Sequence, residues 1–409
     1  MRAGFGKSDL TPPLGVELTG YGYYLARRAL SVNDPLFARA VFLEADGVRT
    51  LLISCELLGL NRHISAAVAA HAKQYGVQHV LLVSVHTHTG PSVKYHEGCG
   101  YVDDAYEATV AGRINQAVDA AYADLAEVTA LSHVCLPLPG DHIYNRAAAD
   151  GPVDRTVRGF TFVREGKSPI AAVSAACHCV FRGRSTAVSA DLAGEVNRLM
   201  AQKGFESLFL NGLCGDIDPW KPTDERLTEC AQIITDVFVS KAEALPLTLR
   251  SGAIPFTLRL TPVTADDIRS AAQIAVEKAG GPDEPAARVA LIWEEEMLEK
   301  LDRLSPEEPI SVQYAVIGGV PVIALPFEGF TRIGQEIREI IGREDALTLG
   351  CAEELLGYLP TRDDIHRGAY AALESTFLYK RLPVVPGEAE RLGEEMGKEL
   401  AEILYDENH

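Results

Sequence analysis

Short aliphatic runs alternate along the chain with longer segments in which apolar residues recur every three or four positions. The runs 38–44, 50–54 and 80–85 predict strands, because each is short, largely apolar and bounded by polar or turn residues. Residues 64–74 have helical spacing and predict a helix between the second and third strands. Strand, helix and strand at this spacing predict a parallel βαβ unit, and so a sheet covered on both faces.

The later part of the chain carries the same mixture of patterns. Helices are predicted over 104–127, 192–202, 227–244, 331–342 and 386–404, and strands over 169–179, 208–211, 247–260, 312–317, 320–325 and 347–349. Gly318-Gly319 predicts a hairpin turn between two of these strands. Residues 265–304 predict a helical pair broken at Gly280-Gly281-Pro282, which we interpret as a cap or insertion. Residues 131–165 are less regular.

No internal repeat, low-complexity segment or linker divides residues 1–409, which predicts a single domain. The pattern predicts an α/β fold with a mixed, largely parallel sheet or sheets flanked by helices. In such folds the active site lies at the carboxyl ends of the strands. The aromatic loop Gly20-Tyr21-Gly22-Tyr23 is of a kind that lines pockets.

Composition narrows the classes of partner. A formal net charge of −19 argues against nucleic acid and against an anionic membrane surface. No stretch approaches the roughly 18 apolar residues that a membrane helix requires, and the N-terminus lacks a signal-peptide core, so we expect a cytoplasmic protein with no integral membrane segment. Eight cysteines without paired spacing predict reduced thiols. A homo-oligomer is compatible with the sequence, which does not specify the state.

Two histidines follow the most apolar of the predicted strands, in the motif His86-Thr-His88-Thr-Gly-Pro. Alternate residues of an extended chain face the same side, so His86 and His88 are expected to point together off the end of the strand. Two converging imidazoles at that edge indicate a metal, with zinc the first candidate. The alternative is that one histidine belongs to the core and the other to a loop.

Other predicted strand ends also finish on groups able to bind or assist a cation. These groups are His178, Asp216, Asp218, Glu328 and Tyr358. Two histidines and a carboxylate would leave an open zinc position for water. Each carboxylate also has a structural alternative, since Glu328 is placed to begin a helix and Asp216 to form a turn. The structural alternative for Tyr358 is a packed aromatic side chain.

Four further residues near these strand ends are interpreted as structural or solvated. Cys177 and Cys179 flank His178, face away from it and are interpreted as core. His96 and Glu97 fall in a loop that we expect to be solvated.

Motifs in a fixed order carry a resemblance to a known family. They are Gly4-Phe-Gly-Lys-Ser-Asp-Leu-Thr-Pro12, Asp34-Pro-Leu-Phe-Ala-Arg-Ala40, His86-Thr-His-Thr-Gly-Pro91, Asn145-Arg146, His178, Asn211-Gly-Leu-Cys-Gly-Asp-Ile-Asp-Pro219, Pro326-Phe-Glu328 and Gly357-Tyr-Leu-Pro-Thr361. Over most of its length the chain resembles the catalytic domain of the neutral/alkaline, non-lysosomal ceramidases. That family hydrolyses the amide of ceramide with one zinc ion.

The resemblance implies a role for each matching position. The zinc ligands would be His86, His178, Glu328 and Tyr358. His88 would be a histidine beside those ligands, Arg146 a substrate-binding arginine and Tyr370 a further active-site tyrosine.

The chain also departs from the family pattern. Asp218 stands where the family carries an active-site serine that was once proposed as the nucleophile. A carboxylate cannot replace a hydroxyl nucleophile without forming an anhydride. A mechanism that uses a metal-activated water is compatible with aspartate at this position. The sequence shows no counterpart of the family's C-terminal immunoglobulin-like domain or secretion signal, so we expect the chemistry to transfer better than the substrate.

The sequence therefore predicts a zinc-dependent hydrolase of lipid metabolism that cleaves a linear amide of a small N-acyl substrate, ceramide-like or smaller, by a metal-activated water. His88 or Asp218 would handle the proton for the leaving nitrogen, while Arg146, Tyr358 and Tyr370 would bind the substrate or the oxyanion.

Two alternatives remain open at this point. One is a metal-dependent hydrolase of esters or cyclic amides, although such enzymes carry His-x-His on their first strand and here at least two strands precede it. The other is a non-catalytic binding protein on a ceramidase fold, which the aspartate at position 218 motivates.

Overall fold

The computed structural model describes residues 1–405. Its strands are β1 (Arg2–Asp9), β2 (Ser31–Val32), β3 (Phe37–Ala45), β4 (Val48–Cys55), β5 (His79–Ser84), β6 (Ala126–Pro137), β7 (Ile143–Asn145), β8 (Thr156–Arg164), β9 (Ile170–Ala175), β10 (Ala187–Val188), β11 (Glu206–Asn211), β12 (Ile217–Pro219), β13 (Glu243–Leu245), β14 (Leu249–Arg259), β15 (Glu307–Ile317), β16 (Val320–Ala324), β17 (Glu328–Gly329), β18 (Leu347–Leu349) and β19 (Tyr358–Leu359). Its α-helices are α1 (Arg62–Ala72), α2 (Asp104–Ala123), α3 (Asp191–Gln202), α4 (Asp224–Ser240), α5 (Ala265–Ala279), α6 (Pro285–Glu299), α7 (Thr331–Ile341), α8 (Arg362–His366), α9 (Glu374–Tyr379) and α10 (Glu388–Tyr405).

The larger sheet has the strand order β11-β9-β8-β6-β1-β3-β4-β5, with β13 beside β6. The pairs β4–β5 and β9–β11 are parallel, and the strands between them pair antiparallel. The predicted α/β fold with a mixed sheet flanked by helices is confirmed. In this sheet, parallel pairing is confined to those two strand pairs. Helices α1 and α3 provide the crossovers that parallel strands need, whereas β3 and β4 are joined by the tight turn Asp46-Gly47.

A second sheet, in the order β14-β15-β16-β18, covers one face of the larger sheet. Their shared core contains Val41, Leu43, Leu52, Leu81, Ala315, Ile317, Val320 and Val322. Helices α1 to α4 pack on the opposite face of the larger sheet. Helices α5, α6, α7 and α10 pack on the second sheet. The order of layers is therefore helix, sheet, sheet, helix, with helices on the two outer faces.

Two glycines in β1 allow helix α2 to approach the sheet closely. A Cβ atom on Gly4 would lie 2.0 Å from the carbonyl oxygen of Ala121, and one on Gly6 would lie 2.0 Å from that of Ala117. Any side chain at these positions would push the helix away. This contact explains the Gly4-Phe-Gly6 motif, in which Phe5 is buried in the core between the two sheets.

Most of the predicted elements are found close to their expected positions. The hairpin about Gly318-Gly319 is confirmed, because Ile317 pairs with Val320 and both glycines adopt positive φ angles. The helical pair broken at Gly280-Gly281-Pro282 is confirmed as α5 and α6. Strands β6 and β8 fall in the region that the sequence leaves irregular, and they pair with each other at the centre of the large sheet.

The helical pair shares a hydrophobic core with the rest of the second layer. Trp293 of α6 is fully buried, packs on Phe377 and donates its indole N–H to the carbonyl of Arg381 at 2.8 Å. The same core includes side chains of α7 and α10. A single domain stays a prediction.

Two expectations about the thiols and the membrane can be compared with the structure. The eight cysteines are free thiols, and Cys177 and Cys179 are buried in the core as predicted. Within residues 1–405, no helix has both the length and the apolar character needed to cross a bilayer.

Candidate metal centre

The carboxyl ends of β5 and β9 meet, although these strands are far apart in the order of the large sheet. Thr87 forms a parallel bridge with Cys179, and the backbone N–H of His88 donates to the carbonyl of Cys179 at 3.2 Å. The Asn211 side chain joins the two ends by donating to the carbonyls of Val85 and Cys177, each at 2.9 Å. These contacts bring the histidines that follow both strands to one place.

Three histidines form a buried cluster at this junction. The ring centroids of His86 lie 4.9 Å from His88 and 4.8 Å from His178, and one nitrogen of each ring lies within 4.8 Å of the others. Strand β5 ends at Ser84, and His86 adopts a left-handed φ of 65°. That conformation is strained for a residue with a side chain and is found preferentially at functional sites.

A short parallel pair places a carboxylate and a phenol at the same point. Glu328 in β17 lies opposite Tyr358 in β19. Oε2 of Glu328 lies 3.1 Å from Nε2 of His86 and 3.2 Å from Nε2 of His178. Glu328 does not begin the following helix, because α7 starts at Thr331 with Phe330 as its N-cap. Of its two proposed roles, the structural one is therefore wrong.

Glycine at position 215 permits this arrangement. A Cβ atom on Gly215 would lie 2.3 Å from the carbonyl oxygen of Glu328. The backbone N–H of Gly215 donates to the carbonyl of Gly329 at 2.9 Å. The Gly-Asp-Ile-Asp turn therefore packs directly against the strand that carries the carboxylate.

Backbone carbonyls orient the two histidines that face Glu328. Nδ1 of His86 lies 2.9 Å from the carbonyl of Leu58, and Nδ1 of His178 lies 2.5 Å from that of Cys214. A carbonyl only accepts, so Nδ1 carries the proton in both rings and the Nε2 lone pairs point toward Glu328. This pattern is typical of histidines that bind a metal through Nε2.

His88 has no hydrogen-bond partner for either ring nitrogen among residues 1–405, although it is buried. Buried polar atoms without partners cost free energy and need an explanation, such as an ion or ligand. Two oriented Nε2 atoms, one carboxylate oxygen and an unpartnered imidazole together fit a divalent cation such as zinc.

The electrostatics keep these groups in forms that bind metal. Although burial by itself raises the pKa of Glu328, the adjacent His86 and His178 hold it well below its ordinary value. Burial, with the neighbouring His86 and His178, lowers the pKa of His88 well below its ordinary value. Burial and Arg146 lower the pKa of His178. These directions favour an ionised carboxylate at Glu328 and a neutral imidazole at His88.

Arg146 connects the cluster to the substituted aspartate. Its guanidinium donates to the Tyr358 hydroxyl at 2.8 Å and to the carbonyl of Gly215 at 2.9 Å, and it pairs with Asp218 at 3.2 Å. One of its nitrogens lies 3.2 Å from Nε2 of His178. Asp218 is therefore at the site, where it balances the charge of the arginine.

The two remaining candidate residues are Tyr370 and Asp216. The Tyr370 ring is centred 5.9 Å from that of Tyr358 and is 45% exposed. Asp216 lies outside the cluster and has its structural role, since it accepts from the Thr331 N–H at 2.9 Å and from the Asn145 side chain at 2.8 Å.

The sequence gives no sign of Tyr379, whose hydroxyl donates to Oε1 of Glu328. Its ring packs on His96 with centroids 4.3 Å apart. His96 and Glu97 are buried, so the expectation of a solvated loop is wrong. The loop is buried because Glu97 accepts hydrogen bonds from Tyr24 and Tyr95 and pairs with Lys380.

A cavity of about 470 Å³ opens over the cluster. Its walls include Tyr21 and Tyr23, as predicted for the aromatic loop, together with Tyr370 and Tyr379. This volume is in the range of small-molecule sites, and tyrosines offer both apolar surface and hydroxyl groups to a ligand.

The fold and the site define a mixed α/β protein whose strand ends assemble a buried histidine and carboxylate cluster suited to a metal. Its structure is similar to that of the neutral ceramidase from Pseudomonas aeruginosa, with a TM-score of 0.75 and 18% sequence identity over 98% of this chain and 74% of that one. A second similar structure, a ceramidase complexed with C2, has a TM-score of 0.72 and 17% identity over 98% of this chain and 75% of that one. No protein-family model and no curated protein matches the sequence. The resemblance to the neutral ceramidases is thus confirmed as a shared fold.

Proposed function

We propose that this protein is a zinc-dependent hydrolase that cleaves the linear amide bond of an N-acyl substrate. The observation that carries the proposal is the convergence of Nε2 of His86 and Nε2 of His178 on one oxygen of Glu328, with both rings oriented by backbone carbonyls. The shared ceramidase fold supports an amide as the substrate class.

His86, His178, Glu328 and Tyr358 would hold the ion. When bound, zinc would polarise the acyl carbonyl and activate a water. A cluster of His86, His88 and His178 is the competing ligand set, because one nitrogen of each lies within 4.8 Å of the others. We favour the first set because Glu328 lies within 3.2 Å of two of the histidines.

The surrounding side chains would bind the reacting amide. Arg146, which donates to the Tyr358 hydroxyl, lies beside the cluster, where its guanidinium would donate to the oxyanion that forms from the acyl carbonyl. Asp218 pairs with Arg146 and so holds the guanidinium in place. Tyr370 would contact the substrate from the wall of the cavity.

We assign proton transfer to His88. Both of its ring nitrogens are without a partner, whereas Asp218 is engaged by Arg146. His88 would accept a proton from the attacking water and deliver it to the leaving nitrogen, so that an amine and a carboxylic acid are released.

The test is elemental analysis of the purified protein followed by a screen of N-acyl amides, with matched esters and cyclic amides. We expect about one zinc per chain and preferential cleavage of linear N-acyl amides. Preferential ester or cyclic-amide cleavage would favour the other metal hydrolase. A metal-replete protein inert to every substrate would favour a binding protein on this fold.

A further inference from the structure

A second cleft is separate from the cavity over the metal centre. It has a volume of about 510 Å³ and is formed by α1, β5, β15 and the segment 353–356. None of the residues that line it also lines the cavity over the histidines. Its surface is largely apolar, with Leu82, Pro326 and Leu356 buried at its base and Ala66 and Ala69 of α1 on one side.

Glu353 is one of the polar residues in this largely apolar lining, which also includes Arg62, Ser65, Ser311, Gln313 and Glu354. Its backbone has a left-handed φ of 47°, and its N–H donates to the carbonyl of Leu82 at 2.7 Å. The side chain is half-buried, and its carboxylate makes no hydrogen bond or ion pair with any group in residues 1–405. Burial raises the pKa of Glu353 to about 7, although the charge of Arg62 opposes this shift.

The adjacent carboxylate of Glu354 has cationic partners, which Glu353 lacks among residues 1–405. Glu354 accepts from Nε of Arg62 at 2.7 Å and from Nζ of Lys94 at 3.3 Å. Arg62, which also lines the cleft, and Lys94 are therefore both paired with Glu354. A carboxylate that is partly removed from water is stabilised by pairing with a cation, and the cleft has space for a cationic ligand.

Two properties of the cleft define what would fill it. Its volume is in the range of small-molecule sites, which combine apolar walls with a few convergent polar groups. Strained backbone at a polar residue is also associated with ligand binding. A bare metal ion would leave the apolar walls uncovered, and an anion would be repelled by the carboxylate.

We propose that this cleft is a binding site for a small organic cation, whose ammonium group pairs with Glu353 and whose apolar chain lies on Leu82, Pro326 and Leu356. The inference does not rest on the proposed hydrolase function, because the cleft shares no residue with the metal centre.

The test uses n-hexylammonium as the probe and calorimetric titration of the full-length protein as the readout. We expect n-hexylammonium to bind at least about tenfold more tightly than 1-hexanol, and hexanoate not to bind, because a hydrogen bond to a charged, partly buried group contributes more free energy than a tenfold difference requires. Glu353→Gln should weaken n-hexylammonium about tenfold and leave 1-hexanol unchanged. Glu295→Gln, which removes an exposed charge on α6, should change neither.

A second variant tests the apolar part of the site. Ala66 is exposed on α1, so Ala66→Phe should fold and fill the cleft, which would abolish binding of both the ammonium and the alcohol. Equal binding of n-hexylammonium and 1-hexanol, unchanged ammonium binding in Glu353→Gln, or no binding to the unmodified protein would each overturn the proposal.

Discussion

The hydroxyl of Tyr379 donates to Oε1 of Glu328, the oxygen that faces away from the two histidines. The other oxygen, Oε2, lies within 3.2 Å of Nε2 of both His86 and His178. The tyrosine therefore limits rotation of the carboxylate and fixes which oxygen is offered to a metal. Loss of such an outer contact typically lowers metal affinity or activity by about 10- to 100-fold.

Tyr379→Phe removes only this hydrogen-bond donor. We expect zinc affinity to fall about 10- to 100-fold, as is typical when a group that orients a ligand is lost. The measurement is a competition titration with a chelator of known affinity. Tyr370→Phe is the matched control, since Tyr370 does not contact Glu328, and it should keep the zinc affinity of the unmodified protein. Equal zinc affinity in both variants would show that Tyr379 does not position the carboxylate.

His178→Ala tests the ligand assignment. It should remove zinc from the purified protein and lower kcat/KM for an N-acyl amide at least about 100-fold, because both the ion and its polarising effect are lost. His79→Ala is the control, since His79 is a half-buried histidine at the start of β5 that contacts Gln313 at 3.1 Å. Stoichiometric zinc together with hydrolysis in His178→Ala would mean that the ligand set is wrong.

His88→Gln and Asp218→Asn separate the two candidates for proton transfer. His88→Gln should lower kcat about 10²- to 10⁴-fold while zinc stays bound, which is the usual effect of removing a positioned acid or base. Asp218→Asn weakens the charge pair that holds Arg146, the proposed oxyanion donor, so kcat should fall by no more than about tenfold with KM little changed. Steady-state kinetics on both variants decides the question, and a large loss of kcat in Asp218→Asn but not in His88→Gln would assign the proton to Asp218.

Zinc removal should lower the stability of the folded protein. An ion that binds only the folded state adds about 2.7 kcal/mol when its concentration is 100 times its dissociation constant. Thermal unfolding after chelation, and again after zinc is restored, measures this difference. Glu328→Gln should lose most of the zinc-dependent increase, because it removes the charge that faces both histidines. A zinc-dependent increase that survives in this variant would favour the three-histidine ligand set.

Trp293→Ala tests whether the helical pair belongs to the main folding unit. Trp293 is fully buried and hydrogen-bonded, so its loss should cost about 3–5 kcal/mol. Leu291→Ala, at a 38% exposed position on the same helix, should cost much less. Denaturant unfolding should shift as one transition in Trp293→Ala. Two separated transitions would contradict the single-domain prediction.

Local patterns in the sequence determine most of the elements and several site residues. The aliphatic run before His86, the Gly-Gly hairpin and the helical spacing of 265–304 each depend on neighbouring residues, and the structure has all three elements. The His-x-His motif could be placed at a strand end for the same reason. The buried pattern around His178 likewise placed Cys177 and Cys179 in the core.

Tertiary structure alone decides which distant groups meet. Asp216 and Asp218 are two residues apart in one turn, yet the first holds Thr331 and the second pairs with Arg146. The carboxyl ends of β5 and β9 meet, and Tyr379 contacts Glu328, only because distant strands and helix α9 pack together. No local pattern encodes these pairings, because each depends on the packing of segments far apart in the chain, whereas periodicity reports only which face of one segment is buried.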